Sequence, residues 1–311
     1  MLRRFLLGAF VLVACISITA AQDITATPRP VNLTPPVLGD FNADAVSSIK
    51  LDDYPVLPTV TEHAQTIYMR GQKSGRNAKM LSKIGDCMTA AEYFLVPFGK
   101  GDFDLGAYSN LKPVVNYFTS VSGSDAKMNG FDTIGLATDS GFTTASVLDS
   151  TWSNTKICKA NESPLSCEYR VSNSAFALIM FGTNDVFYFE PKMFDYYLRL
   201  IVLQTINTDV VPVLYTFPVR PEFPEKTLLF NQIVVKIASD YDIPLVNMVK
   251  ALETLPDQGV NTKDTIHLSL PEDGKVGVFS DKNLKAGYTF RNLLTLQTLD
   301  ILWRKLDKNP S

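Results

Sequence analysis

Seven consecutive apolar residues, Ala175-Phe176-Ala177-Leu178-Ile179-Met180-Phe181, run up to Gly182. The run is too short for a helix and shows no polar alternation, so it reads as a strand buried on both faces. Val210 to Phe217, rich in β-branched residues and ended by Pro218, reads the same way. Pro244 to Val249 is a third such run, and Lys83-Ile84-Gly85 is a weaker fourth. Between them apolar residues recur at helical spacing: Phe194, Tyr197, Leu198, Ile201 and Val202, then Leu229, Ile233, Val234 and Ile237. The chain closes with Leu299, Leu302, Trp303 and Leu306 on one helical face. Strands alternating with helices of this length predict an α/β domain with a central parallel sheet covered on both sides. One such domain is expected over residues 61–306, with a short tail at 307–311.

Charge excludes one class of partner. Across 311 residues the formal charge is −3, which leaves no basic face for a phosphate backbone, so nucleic acid is not expected. Only two histidines exist, His63 and His267, far apart in sequence, which argues against a His-rich metal centre.

The N-terminus reads as an export signal over residues 1–21. Arg3 and Arg4 precede an uncharged stretch from Phe5 to Ala21, and Thr19-Ala20-Ala21 offers a small-residue cleavage site before Gln22. Leu12-Val13-Ala14-Cys15 also resembles a lipobox, which would give Cys15 a lipid, and the uncharged run is long enough for an uncleaved anchor. Each reading puts the body of the protein outside the cytoplasm, with membrane contact only through this end. Residues 22–60 are spotted with proline and aperiodic, so a poorly ordered linker is expected.

Beyond Cys15 three cysteines remain. Cys158 and Cys167 flank the turn-rich Asn161-Glu162-Ser163-Pro164, where the ends can meet. A disulfide there would close a short loop worth about 2.7 kcal/mol on a chain-entropy basis. Cys87 is then left as a free thiol.

Sites in parallel sheets gather at the carboxyl ends of strands, and three unusual segments fall there. In Gly85-Asp86-Cys87 a strand turns into a helix, exposing Cys87 where the helix start favours a thiolate; a small buried cysteine is the plain alternative. In Gly182-Thr183-Asn184-Asp185, glycine permits a tight turn and Asn184 can point an amide donor across the strand ends. In Asp264-Thr265-Ile266-His267, a carboxylate three residues before a histidine can hold Nδ1–H and leave Nε2 as a base. A fainter segment, Ser140-Gly141-Phe142-Thr143, can bring a backbone N–H toward the same place.

The order of these four segments resembles the GDSL, or SGNH, hydrolase family, across nearly the whole domain. The resemblance implies a flavodoxin-like three-layer α/β/α sandwich and a nucleophile–His–Asp triad that cleaves ester or acyl bonds without a cofactor. It implies Cys87 as the nucleophile, His267 as the base and Asp264 as its orienting carboxylate. The Gly141 and Cys87 N–H groups and the Asn184 side chain would form the oxyanion hole, supported by Asp86, Thr183 and Asp185.

The sequence departs from the family at one position, with Cys87 where the pattern has serine. A thiolate beside an imidazolium is a strong nucleophile and would form a thioester acyl-enzyme. Sulfur is also larger than oxygen, and a misplacement of about 1 Å can cost ~10²-fold in rate. Two functions follow: an exported hydrolase or acyltransferase acting on a small-molecule or polymer-borne ester, or a catalytically degenerate domain that binds glycan or acylated polymer. A redox-sensing thiol is a third. Residues 99–128, with Phe103, Tyr108, Tyr117 and Phe118, and the Cys158–Cys167 loop are candidate pocket walls, although such aromatics more often pack.

Overall fold

Asn77–Gly85 forms the first strand, β1, preceded by helices α1 (Ala43–Ser47) and α2 (Glu62–Lys73). The structure, a computed structural model, describes residues 31–120, 129–132 and 135–307. The expected signal segment with Cys15, the first part of the linker and the last four residues lie outside the described residues. After β1 come α3 (Cys87–Ala90), α4 (Val96–Lys100), α5 (Lys112–Thr119), β2 (Ala137–Thr138) and α6 (Pro164–Ser172). Then follow β3 (Ser174–Met180), α7 (Asp185–Tyr188), α8 (Pro191–Asn207), β4 (Val211–Tyr215) and α9 (Pro224–Asp240). The chain continues with β5 (Leu245–Val246), α10 (Met248–Leu252) and α11 (Gly287–Leu306).

All neighbouring strands pair in parallel, in the order β2-β1-β3-β4-β5. Right-handed crossovers then put α6, α8 and α9 on one face and α5 on the other. On the α5 face, Phe176 of β3 meets Tyr68 of α2 and Phe118 of α5, and Trp303 of α11 lies 5.1 Å from Tyr117. Every residue of β3 is buried, as its apolar run requires. The chain is thus an α/β protein with helices flanking a central parallel sheet. Strand order reverses direction at β1 and β3, so the loops after these two strands open onto the crevice where sites form.

Lys83 is the reason β1 reads weakly in sequence. It is a cation with 2% of its surface exposed, and its ammonium donates to the Phe131 carbonyl at 3.2 Å. Burial pulls its pKa down to about 8 against the opposing pull of Glu168 and Asp132. Glu168, also buried, accepts the Leu136 N–H at 2.6 Å and so fixes the entry to β2.

Residues 31–60 differ from the expected linker. Val46 is buried, and the backbone of this stretch is held by side chains of the domain. Gln232 donates to the carbonyls of Ser47 and Ile49, at 3.2 and 2.7 Å. Asn247 donates to those of Leu51 and Tyr54, at 2.8 and 3.2 Å, and Lys250 to that of Asp52 at 2.6 Å. Prolines exclude a long helix here but not docking, because buried amides of the domain satisfy the carbonyls that no helix uses.

Cys158 and Cys167 form a disulfide, with Cα atoms 5.3 Å apart, and Cys87 is free. The aromatics considered as pocket walls pack instead. Phe103 lies 5.4 Å from Phe98, Tyr108 stands edge-on to Phe279 at 6.1 Å, and Tyr117 and Phe118 are buried.

Candidate active site

Two glycines let the chain leave β1 and β3 where it does. A Cβ at Gly85 would meet the Met180 carbonyl oxygen at 2.3 Å and Thr89 Oγ1 at 2.5 Å. Gly182 has φ +128°, and a Cβ there would lie 2.1 Å from the Phe217 ring.

Asp86 caps α3 by accepting the Met88 N–H at 3.1 Å, and Cys87 opens the helix. The thiol is not the thiolate expected at a helix start. Burial, reinforced by the charge of Asp86, pushes the Cys87 thiol up to about 12, outweighing the Met88 and Cys87 N–H groups and Arg220. A helix of one turn gives too little field to offset desolvation. Among the described residues no hydrogen bond joins Sγ to His267.

Asp86 and Asp185 are both buried and close enough to repel. Burial pushes Asp86 up to about 7, and the charge of Asp185 adds to the shift. Asp185 itself rises to about 6 through burial, opposed by the Thr144 N–H and hydroxyl at 2.8 and 2.6 Å and the Gly182 N–H at 3.1 Å. The two carboxyls therefore titrate as a coupled pair, each raised by burial.

Asn184 does not leave its amide open to an oxyanion. Its Nδ2 donates to the Ser140 carbonyl at 3.1 Å and the Phe142 carbonyl at 2.9 Å. Gly141 is exposed, with its N–H turned toward Asp139 at 3.4 Å. Of the three expected oxyanion donors, the Cys87 N–H is the one that intrahelical bonding cannot use. Thr183 is buried, and its carbonyl is taken by Arg220 at 2.7 Å.

The Asp264–His267 pair forms as expected, at 3.2 Å between Oδ2 and Nδ1. The other carboxylate oxygen accepts the N–H groups of Ile266 and His267, each at 2.9 Å. These bonds hold the carboxyl of Asp264 below its ordinary value although partial burial works the other way. Both side chains stand about 40% exposed. His63, in α2, takes no part, since its Nδ1 lies 2.6 Å from the carbonyl of Tyr241 at the end of α9.

Sequence reasoning missed four residues of this neighbourhood. Arg220 and Glu222 follow β4, and Arg220 Nε lies 3.2 Å from Glu222. Glu222 in turn accepts the Thr265 hydroxyl, beside Asp264. From α11, Arg291 donates to the Met88 carbonyl at 2.7 Å and to Thr89 Oγ1 at 3.1 Å, with its guanidinium 3.7 Å above the Phe94 ring. Tyr288 is held well above the ordinary phenol range by burial, against the opposing charge of the Arg291 guanidinium. A signal for Arg220 existed in the sequence: a charge just beyond the carboxyl end of a buried strand.

Among the described residues one cluster has metal-ligand types in reach, Cys158, Glu162 and Cys167. Its sulfurs are joined in the disulfide and Glu162 pairs with Arg170 at 2.7 Å, so it offers no thiolate to an ion.

Neither a protein-family model nor a curated protein matches this chain. Among solved structures it is similar to a psychrotrophic esterase from a Pseudoalteromonas species, with 14% identity, TM-score 0.45, and coverage of 73% of this chain and 99% of that one. It is similar to a lipase/acylhydrolase from Enterococcus faecalis, with 18% identity, TM-score 0.45, and coverage of 71% and 94%. A catalytic mutant of an acetylxylan esterase from Geobacillus stearothermophilus is 16% identical, with TM-score 0.45 and coverage of 73% and 98%. At these TM-scores the likenesses carry no weight for the chemistry of this chain.

Proposed function

We propose that the chain is an exported hydrolase or acyltransferase that cleaves an ester or acyl bond through Cys87, His267 and Asp264. The observation that carries this reading is the 3.2 Å contact between Asp264 and His267 Nδ1, on a loop bonded through Glu222 and Arg220 to the end of β3. A carboxylate at Nδ1 holds the proton there and keeps Nε2 as a base.

Because burial keeps the thiol neutral, sulfur attacks as its proton passes to Nε2. The S–C bond forms on the carbonyl carbon while the π pair moves to oxygen, toward the Cys87 N–H. Collapse expels the alkoxide, which takes the proton from His267 and leaves a thioester. Water, deprotonated at Nε2, then attacks the thioester and expels the sulfur, which regains its proton; an alcohol in place of water gives acyl transfer. Asn184 joins the oxyanion hole by giving up one of its two carbonyls.

A second reading, a catalytically silent domain that binds glycan or acylated polymer, is favoured by the neutral thiol and the engaged Asn184 amide. Phe187 and Tyr188, 64% and 66% exposed beside the Asn184 turn, suit the acyl or sugar part of a ligand in either case. The disulfide supports an extracytoplasmic location. No helix among the described residues is long and apolar enough to cross a membrane, and in this reading attachment runs only through the N-terminal segment.

The test is hydrolysis of p-nitrophenyl acetate under reducing conditions, with Cys87→Ala as control. Loss of turnover by at least ~10²-fold in the variant supports the nucleophile. Equal rates overturn it for activated esters and leave the binding reading.

A further inference from the structure

The loop that carries Asp264 and His267 is secured by polar contacts, and one of them leads back to the β3 turn. Its ends meet through the Asn261 N–H, which donates to the His267 carbonyl at 2.8 Å, and the Val260–Leu268 bridge. At its tip Thr265 has φ +56°, a left-handed conformation that β-branched residues avoid. Bonds within the loop hold it, from the Thr265 N–H to the Asn261 carbonyl at 2.8 Å and from the Ile266 and His267 N–H groups to Asp264, and the Thr265 hydroxyl adds one to a residue outside the loop. The hydroxyl has one proton and two acceptors in reach: the Asp264 carbonyl at 2.7 Å and the Glu222 carboxylate. The charged acceptor is the stronger.

Resting on the hydrolase reading, we infer that Thr265, Glu222 and Arg220 form a positioning clamp that sets the His267 imidazole against the Cys87 turn. Glu222 bridges Thr265 to Arg220 Nε at 3.2 Å, and Arg220 Nη1 reaches the Thr183 carbonyl at 2.7 Å. Arg220 is 8% exposed, so its end of the clamp is fixed. Its backbone is held as well, with its N–H donating to Thr227 Oγ1 at 3.3 Å. The clamp therefore spans three loops, after β4, after β3 and before α11, and none of its side chains needs to touch the substrate. It acts through the direction of one imidazole, and a misplacement of about 1 Å there costs up to ~10²-fold.

Two variants of one residue test this. Thr265→Val keeps the shape and removes the hydroxyl; Thr265→Ser keeps the hydroxyl. The expected result is a fall in kcat of about tenfold or more for the valine variant, with KM within about twofold, and recovery of most of that loss by serine. Amide exchange gives a reading independent of turnover. The Ile266 and His267 N–H groups, both bonded to Asp264, should exchange faster in Thr265→Val and not in Thr265→Ser, with β3 and β4 unchanged. Equal behaviour of the two variants overturns the clamp, as does wild-type protection in valine. If the wild-type protein turns nothing over, the hydrolase reading fails while the exchange data still decide the clamp.

Discussion

The floor of the site and its rim are built by different rules. The floor is Gly85, Asp86, Cys87, Gly182, Asp185 and Arg291, at the ends of β1 and β3 and beneath them. Asp86, Asp185 and Arg291 are almost wholly buried, and both glycines sit where a methyl group would collide. The rim is the Asp264–His267 loop with Glu222, solvated and held by polar contacts alone. Packing determines the floor several times over, so its groups are rigid and their charges are costly. The rim is in contact with solvent and depends on a few hydrogen bonds for its aim. A solvated, hydrogen-bonded imidazole on one loop and a largely buried thiol on another are what these differences produce.

The strongest way to break this contrast is on the floor. Gly182→Ala would place its methyl 2.1 Å from the Phe217 ring at a φ of +128°. The expected loss is about 4 kcal/mol or more, a fall in Tm of roughly 10 °C. Thermal or urea unfolding measures it; a Tm within a few degrees of wild type would mean that the floor relaxes and is not over-determined.

A smaller effect separates the regions by pH. Asp86 and Asp185 rise to about 7 and about 6 on folding, above an unfolded value near 4. The folded state therefore binds more protons than the unfolded state in that window. The stabilisation is complete below about pH 4 and is lost as the pH rises through 6 and 7. Between pH 5 and pH 8 the Tm should fall by roughly 5 °C, and the fall should flatten in Asp86→Asn. A Tm that climbs over the same range would contradict the buried pair.

The two regions were also unequally legible in the sequence. The turn at Asn184 is visible because it follows an apolar strand, that at Cys87 through Gly85-Asp86 at the end of a weaker one, and Asp264–His267 because its partners are three residues apart. Arg291 and Tyr288 were not, since the helical stripe that identifies α11 says only which side is apolar. The approach of Arg291 to Met88 spans 203 residues of chain. The two-residue β2 is too short to leave a pattern, and the strap at 31–60 is docked by Gln232 and Asn247, which sequence shows only as polar residues in apolar surroundings. Desolvation of the Cys87 thiol escaped for the same reason: helix position is local information and burial is not.

The smallest stability effect belongs to the rim, and it sharpens the contrast most. In Asp264→Asn the remaining Oδ1 still accepts the Ile266 and His267 N–H groups, which now stand at 2.9 Å; the exposed bond from Asn261 Nδ2 to Oδ2 at 3.2 Å is lost, and the loop keeps its fold. The Tm should shift by no more than about 2 °C, as for other exposed sites away from packing. The imidazole, however, would face an amide donor in place of a carboxylate at Nδ1. It then accepts at Nδ1 and carries its proton on Nε2, the tautomer that cannot take a proton from sulfur. Turnover should fall by ~10²- to 10⁴-fold with little change in stability, measured on the same ester. The opposite result, a protein that unfolds easily but keeps its activity per folded molecule, would make Asp264 a loop brace and leave His267 without an orienting carboxylate.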